Sequence, residues 1–447
     1  MGSCRFVLIL AVLLTAASGV CALGGPEDVF AGTLPNGMRV IVKEGHTVNL
    51  VSVDVWIKAG SVNEDASKNG ISHLTEHMVF KATKKYGPGQ IDREIEGIGA
   101  EVNGGTSKDY VHFYTTVASQ YLPTALDVLS DAVMNALFRA EDVEKERRVV
   151  LDEIARDESD PLRRAIDMFI DSAYSTHPYR LHAAGSRDSV SKLTRDELYA
   201  YYCRRYTPRN TCVSVAGDVS LQDALKAVSR AFDGYERIHP DSGVDTVPPK
   251  EPARSEPSVH SFTWQQSSKA YVILGFPAAP ASSMRDVCAL DTIVELFGDT
   301  YRGRISSALS ASQIKFGQVV TDFVTQKYPG MIYVVAVVAP SDVSKAADVI
   351  LNEFRRVAAD PVSMAESADA KSRALGSDLY EMETFSGQAR ILGMYDCISS
   401  CDQVQERAST IPGLSASDIS STAKAYFTGN NYTLVTIEPE SKSGRRD

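Results

Sequence analysis

Apolar residues alternate with polar ones in several short runs of this chain and recur every three or four positions in a few longer ones. MRVIVKE, LVSVDVWIKAG, VHFYTTVA, KAYVILGF and GMIYVVAVVA are short, rich in β-branched residues, and read as strands. QYLPTALDVLSDAVMNALF and SDVSKAADVILNEFRRVAA keep the helical period and read as amphipathic helices. Many short strands flanking a few long helices predict an α+β fold, a mostly antiparallel sheet covered by helices.

The pattern also repeats. Residues 193–220, LTRDELYAYYCRRYTPRNTCVSVAGDVS, align without a gap on 414–441, LSASDISSTAKAYFTGNNYTLVTIEPES. Thr194 falls on Ser415, Glu197 on Asp418, Tyr206 on Phe427 and Asn210 on Asn431. Each copy reads as a capped helix, a turn and a strand, which predicts duplication of one α/β unit. RIHPDSGVDTVPPKEPARSEPSV, residues 237–259, is dense in Pro, Ser and charge without apolar periodicity, so it reads as a linker. The expected organisation is a leader over 1–22, a first half over 23–236, the linker over 237–259, and a homologous second half over 260–447.

MGSCRFVLILAVLLTAASGVCA, residues 1–22, has a short basic start, an apolar run and a V-x-A ending at Ala22, the pattern of an export signal. The expected location is outside the cytoplasm, periplasmic in a bacterium, with secretion or anchoring by the leader as alternatives. No later run is apolar for long enough to predict a membrane span. With 46 basic against 57 acidic residues, the net charge is −11. That balance disfavours nucleic acid and anionic lipid as partners. Five cysteines follow the leader, an odd number. Cys397 and Cys401 share a helical i,i+4 spacing that suits two buried thiols, a bridge or a metal clip.

Candidate chemistry concentrates in NGISHLTEHMVFKAT, residues 69–83. On a helix His73 and His77 stand one turn apart, so both rings can reach one ion, and Glu76 lies beside them. Ile71, Leu74 and Met78 fall on the neighbouring face and anchor the segment to a core. The same offsets also arise by chance on a solvated helix. A zinc site needs a third protein ligand and keeps its fourth position for water. EDVEKERRVVLDEIARDESDP, residues 141–161, places Val143, Glu146, Val150 and Glu153 on one stripe, and acids on an apolar stripe need a cation.

The stretch GSVNEDASKNGISHLTEHMVFKAT resembles the pitrilysin family of zinc metallopeptidases, whose signature is this inverted H-x-x-E-H order. The match is to its half-length branch, with mitochondrial processing peptidase and bacterial relatives. LPNGMRVIV, the E-V-N-G stretch at 101–104, the E-x6-E pair in EKERRVVLDEI and YTPRNTCVSVAGDVS extend the match over residues 30–235. The resemblance implies one Zn2+ per chain held by His73, His77 and Glu153, with Glu76 as general base and Glu146 orienting a metal-bound histidine. It implies hydrolysis of short or unfolded peptides inside a clamshell of which this chain forms half. It also places Asn103 at the edge strand that holds substrate backbone, with Gly104 where the family usually has alanine. His112, in YVHFYTTV, reads as a strand-surface histidine, and the aromatic run YAYYCRRY as helix packing.

All eight histidines lie at or before His260, so the second half cannot repeat the site. Active single-chain members carry an arginine and a tyrosine in the second half that stabilise the developing oxyanion. Ala311 and Gln318 align with those positions, and Arg304 aligns with a structural arginine. The expectation is therefore the zinc-bearing subunit of a heterodimer whose homologous partner supplies the Arg/Tyr pair, or otherwise a homodimer. A non-enzymatic assembly or binding subunit of the same fold is the alternative.

Overall fold

The computed structural model describes residues 29–236, 247–265 and 267–440. The leader and residues 237–246 of the linker lie outside the described residues. Among the described residues no helix is long and apolar enough to cross a membrane.

The first sheet has six strands: β1 (Val29–Thr33), β2 (Arg39–Glu44), β3 (Leu50–Ile57), β4 (Val102–Thr106), β5 (Val111–Ala118) and β6 (Thr211–Gly217), in the order β1-β2-β6-β3-β5-β4. Only the β2·β6 pair is parallel. The second has five: β7 (Ser258–Trp264), β8 (Ala270–Pro277), β9 (Phe316–Phe323), β10 (Met331–Val338) and β11 (Thr433–Pro439), in the order β7-β11-β8-β10-β9 with β7·β11 parallel. Without β1 the two sheets share one topology, as the repeat predicts. β7 begins at Ser258, inside the stretch read as linker, because SVHSFTW pairs along β11.

The aligned repeats fold alike down to their helix starts. Thr194 caps the helix Arg195–Arg205 and Ser415 caps Ala416–Phe427, each in a reciprocal box with the acid three residues on, Glu197 or Asp418.

Each sheet packs its own helices on one face, forming two cores. The opposite faces are covered by exchange. From the first half, the helix Pro161–Ala173 lays Ala165, Phe169 and Ala173 on Tyr271, Ile273, Tyr333 and Val335 of the second sheet. From the second half, the helix Phe385–Ile398 lays Leu392 and Cys397 on Ile41, Trp56 and Cys212 of the first. A Cβ on Gly393 would stand 2.1 Å from Trp56 Nε1, so only glycine lets this helix lie flat on the indole. Two-sided burial explains why β3 and β10 are apolar almost throughout. Cys397, Cys401 and the other three described cysteines are free thiols.

Candidate active site

The motif helix Ile71–Val79 is held at its start by buried Glu64, which accepts the N–H groups of Gly70 (2.8 Å) and Ser72 (2.9 Å) and the Asn69 amide (2.8 Å). That carboxylate satisfies donors every helix start leaves open. Gly70 has φ 93°, and a Cβ there would sit 2.8 Å from the Ala184 carbonyl oxygen, so no other residue fits. Ile71, Leu74, Met78 and Val79 are buried in the first core. Tyr201, from the run YAYYCRRY, packs inside the core and bonds Ser72 Oγ at 2.7 Å.

This anchoring turns His73 and His77 toward the helix Ala140–Ser159, their rings edge to face at 4.8 Å. Val143, Glu146 and Val150 are buried along its facing stripe. Glu153 Oε2 lies 3.7 Å from His73 Nε2 and 3.6 Å from His77 Nε2, and one ligand atom from each of the three residues lies within 4.8 Å of the others. Those separations exceed a hydrogen bond. They approach the roughly 3.3 Å between neighbouring donors around a tetrahedral zinc with bonds of about 2.0–2.1 Å. The donor set, two imidazoles and one carboxylate, suits zinc.

The surroundings favour that use. Glu146 Oε2 is 3.1 Å from His77 Nδ1, which leaves Nε2 to face Glu153, while Glu146 Oε1 meets Lys81 Nζ at 3.0 Å. Burial works to raise Glu146, but the bonds to His77 and Lys81 outweigh it and hold the carboxyl below its usual range. Burial, then the neighbouring charges of His77 and Arg163, push His73 down to about 4, so its ring is neutral at pH 7, as metal ligation requires. For His77 burial also pulls downward, but the Glu146 bond and the fields of Glu76 and Glu153 raise it overall. His73 Nδ1 is buried without a hydrogen-bond partner among the described residues.

Glu76 is 9% exposed and faces β4. Its Oε2 accepts the Thr106 hydroxyl at 2.6 Å, and a Cβ on Gly104 would stand 3.0 Å from Oε1. Burial pushes the Glu76 carboxyl above its ordinary value against the pull of that hydroxyl. Asn103 is exposed on β4, the outer strand of the sheet, and its Oδ1 accepts the N–H of Gly104 at 2.8 Å.

Thr106 and Lys81 were not among the residues singled out from the sequence. Lys81 follows His77 by one helical turn, and Thr106 shares the alternation of Gly104, so both left a faint signal. Ala311 ends the helix Arg304–Ala311 and Gln318 lies on β9, both exposed. Arg304 grips Glu366 with two bonds, 3.0 and 3.1 Å, a structural role.

Comparison with known proteins follows the same lines. The profile of the family described as Insulinase (Peptidase family M16) matches residues 39–187, and that of the Peptidase M16 inactive domain matches 192–374. An uncharacterized zinc protease of Mycobacterium leprae is 30% identical over 363 residues, 81% of this chain and 80% of its own length. Zinc protease PqqE of Helicobacter pylori is 24% identical, over 91% of this chain and 92% of its own. The crystal structure of a protease from Helicobacter pylori has the same fold, with a TM-score of 0.83 at 22% identity over 92% of this chain and 99% of that one. The chain is a member of peptidase family M16, built as two homologous α/β halves.

Proposed function

We propose that the protein is a zinc-dependent endopeptidase acting on short or unfolded peptides. The observation that carries the reading is the approach of His73, His77 and Glu153 to one point with the buried carboxylate of Glu76 beside them. Zinc held there would supply Lewis-acid polarisation of the scissile carbonyl and a water of lowered pKa. Glu76 is the general base. Thr106 occupies its Oε2, so Oε1, beside the bare Gly104, takes the proton from the attacking water and returns it to the leaving amine. Glu146 fixes the His77 ring through Nδ1. Asn103 and the free edge of β4 hold the substrate backbone as an added strand.

The exposed Ala311 and Gln318 offer neither a cation nor a phenol, which supports a split site: this chain bears zinc, and a homologous partner supplies an Arg/Tyr pair across a shared chamber. The same departure supports the second reading, a non-enzymatic assembly subunit. We place the protein outside the cytoplasm on the strength of its leader.

The test is to assay unstructured peptides with the purified chain alone, with any homologous subunit from the same genome, and after chelation. Chelator-sensitive cleavage only in the mixture supports the split site. Robust cleavage by the chain alone contradicts it, and no cleavage in either, despite bound zinc, leaves the assembly subunit.

A further inference from the structure

A cavity of about 510 Å³ lies where the two halves meet. One wall is the end of the helix Pro161–Ala173 and the turn after it, with Tyr174 and His177. The facing wall is the end of β8 and the turn into β10, with Pro277, Pro329 and Met331. VPPKEPAR, residues 247–254 of the linker, crosses between them as a strap, and its three prolines stiffen it so that it spans the space instead of collapsing into it. The walls are mostly apolar. The volume falls within the roughly 300–1,000 Å³ of sites for small organic molecules, which favour junctions between domains.

The polar groups gather at one end. Glu251 pins the strap by accepting three consecutive N–H groups of the turn, those of Ser175 (2.7 Å), Thr176 (2.9 Å) and His177 (3.0 Å). Burial works to raise this carboxyl, but the bonds outweigh it and hold it at about 2, so its charge is already engaged. Arg254 is held more loosely. Among the described residues its guanidinium makes only two long bonds, 3.4 Å to Glu251 Oε1 and 3.3 Å to Thr433 Oγ1, and most of its N–H donors are left for a further acceptor. Lys250, exposed on the same strap, has no ion pair among the described residues. His177 is 4% exposed and flanked by the rings of Tyr174 and Tyr328 at 5.8 and 5.5 Å. Burial holds it below its ordinary value against the pull of Glu251, so the ring is neutral at pH 7. Nδ1 accepts the N–H of Tyr179 at 3.2 Å, which puts the proton on Nε2, and that buried donor has no partner among the described residues.

A guanidinium, an ammonium and an unpaired N–H beside an apolar chamber select an anion that carries an apolar body. A carboxylate matches the guanidinium fork by accepting two of its N–H groups at once. An amine would meet two cations, and an alcohol would fill the chamber but leave the fork unmatched. We propose that the cavity binds a small organic acid, an acyl chain or aryl group ending in a carboxylate, with the acid group at Arg254 and His177 and the apolar part against Pro277, Pro329 and Met331. Such a ligand touches both halves and the strap between them, so its binding stabilises their junction. The site shares no residue with the candidate active site and stands apart from the peptidase reading.

The test is calorimetric titration of the purified chain with octanoate and 4-phenylbutyrate, with octanol as the neutral and octylamine as the cationic comparison. The expected result is one acid bound per chain, with octanoate roughly tenfold tighter than octanol and octylamine weaker than both. Arg254→Gln should bring octanoate to the level of octanol. Ala253→Trp, at an exposed position of the strap, should fill the chamber and abolish binding of both. Folding of each variant is checked by circular dichroism. In the chain labelled with ¹⁵N at histidine, octanoate should shift the Nε2 resonance of His177, assigned by its loss in His177→Phe. Octanol binding as tightly as octanoate, or octanoate binding unchanged in folded Arg254→Gln, overturns the site. No saturable binding of either acid below about 1 mM, or a His177 resonance unmoved at saturation, overturns it too.

Discussion

The two halves of this molecule share a strand order, a single parallel pair and matching helix caps, yet among the described residues only the first assembles a cluster of metal-binding type. The helix Met364–Glu381, which precedes the exchanged helix of the second half as Ala140–Ser159 does in the first, buries Ser367, Ala370 and Ala374 where the first half has Val143, Glu146 and Val150. Small residues on that stripe bury without cost, whereas carboxylates there need a cation to neutralise them. The fold is therefore indifferent to the site. What the first half carries beyond its sister is a local charge problem that Lys81 and His77 meet in part at Glu146 and that the proposed zinc would complete at Glu153.

If the difference between the halves is catalytic, the largest effect should come from the base. Glu76→Gln should lower peptide cleavage by about 10²–10⁴-fold while the bound zinc, measured on the same preparation, stays unchanged. Full turnover in that variant would return the first half to the status of the second.

The reciprocal helices make each half dependent on the other. Phe169 lies in the second sheet's face, fully buried, and Phe169→Ala should cost about 3–5 kcal/mol in denaturant unfolding. It should loosen the second half as well as the first. Hydrogen exchange confined to the first half would show that the exchange of helices is not a shared core.

Writing the first half's chemistry into the second should fail. Ala374→Glu places a carboxyl where no cation waits, and we expect a loss of about 2–3 kcal/mol with no gain in bound metal. A variant of undiminished stability would mean that the second half retains an unrecognised counter-charge.

The smallest effect concerns a clamp seen only in the first half. His182 bonds Asp167 and Asp171, each at 3.2 Å, on the helix Pro161–Ala173, and its carbonyl oxygen accepts from Asn69 behind the motif helix. The two aspartates raise His182 to about 9. Because the folded value lies above the unfolded one, near 6.5, the stabilisation is fully present below about pH 6.5. It is lost as pH rises through about 9. With the side chain 29% exposed, solvent screening limits it to about 1–2 kcal/mol. Unfolding of the wild type and His182→Gln should converge above pH 9 and separate below it, and parallel curves throughout would remove the clamp.

What the sequence made legible was local. His73, Glu76 and His77 sit on one turn of one helix, so their convergence follows from helical geometry alone. The stripe through Glu146 and Glu153 was visible as periodicity, but its meeting with the motif helix came from resemblance, since nothing local encodes which helices touch. The repeat announced itself because its caps and strand obey short-range rules. Illegible were the contacts between distant segments: the helix from each half covering the other's sheet, the glycine at 393 that makes room for Trp56, the Thr106 hydroxyl on Glu76, and the pairing of His112 with Asp54. His112 read as a plain strand-surface histidine because its partner lies on β3, far away in sequence. Linker composition ran on into β7, because SVHSFTW becomes a strand only by pairing with β11, near the other end of the second half.

The central claim is that two imidazoles and one carboxylate from separate helices hold a single divalent ion. It is tested most directly by zinc titration of the purified chain beside His73→Ala, His77→Ala and Glu153→Ala, with folding checked by circular dichroism. We predict one zinc per wild-type chain and loss of tight binding in each of the three folded variants. Stoichiometric zinc retained without Glu153 or without either histidine, or a folded wild type that binds none, would contradict it.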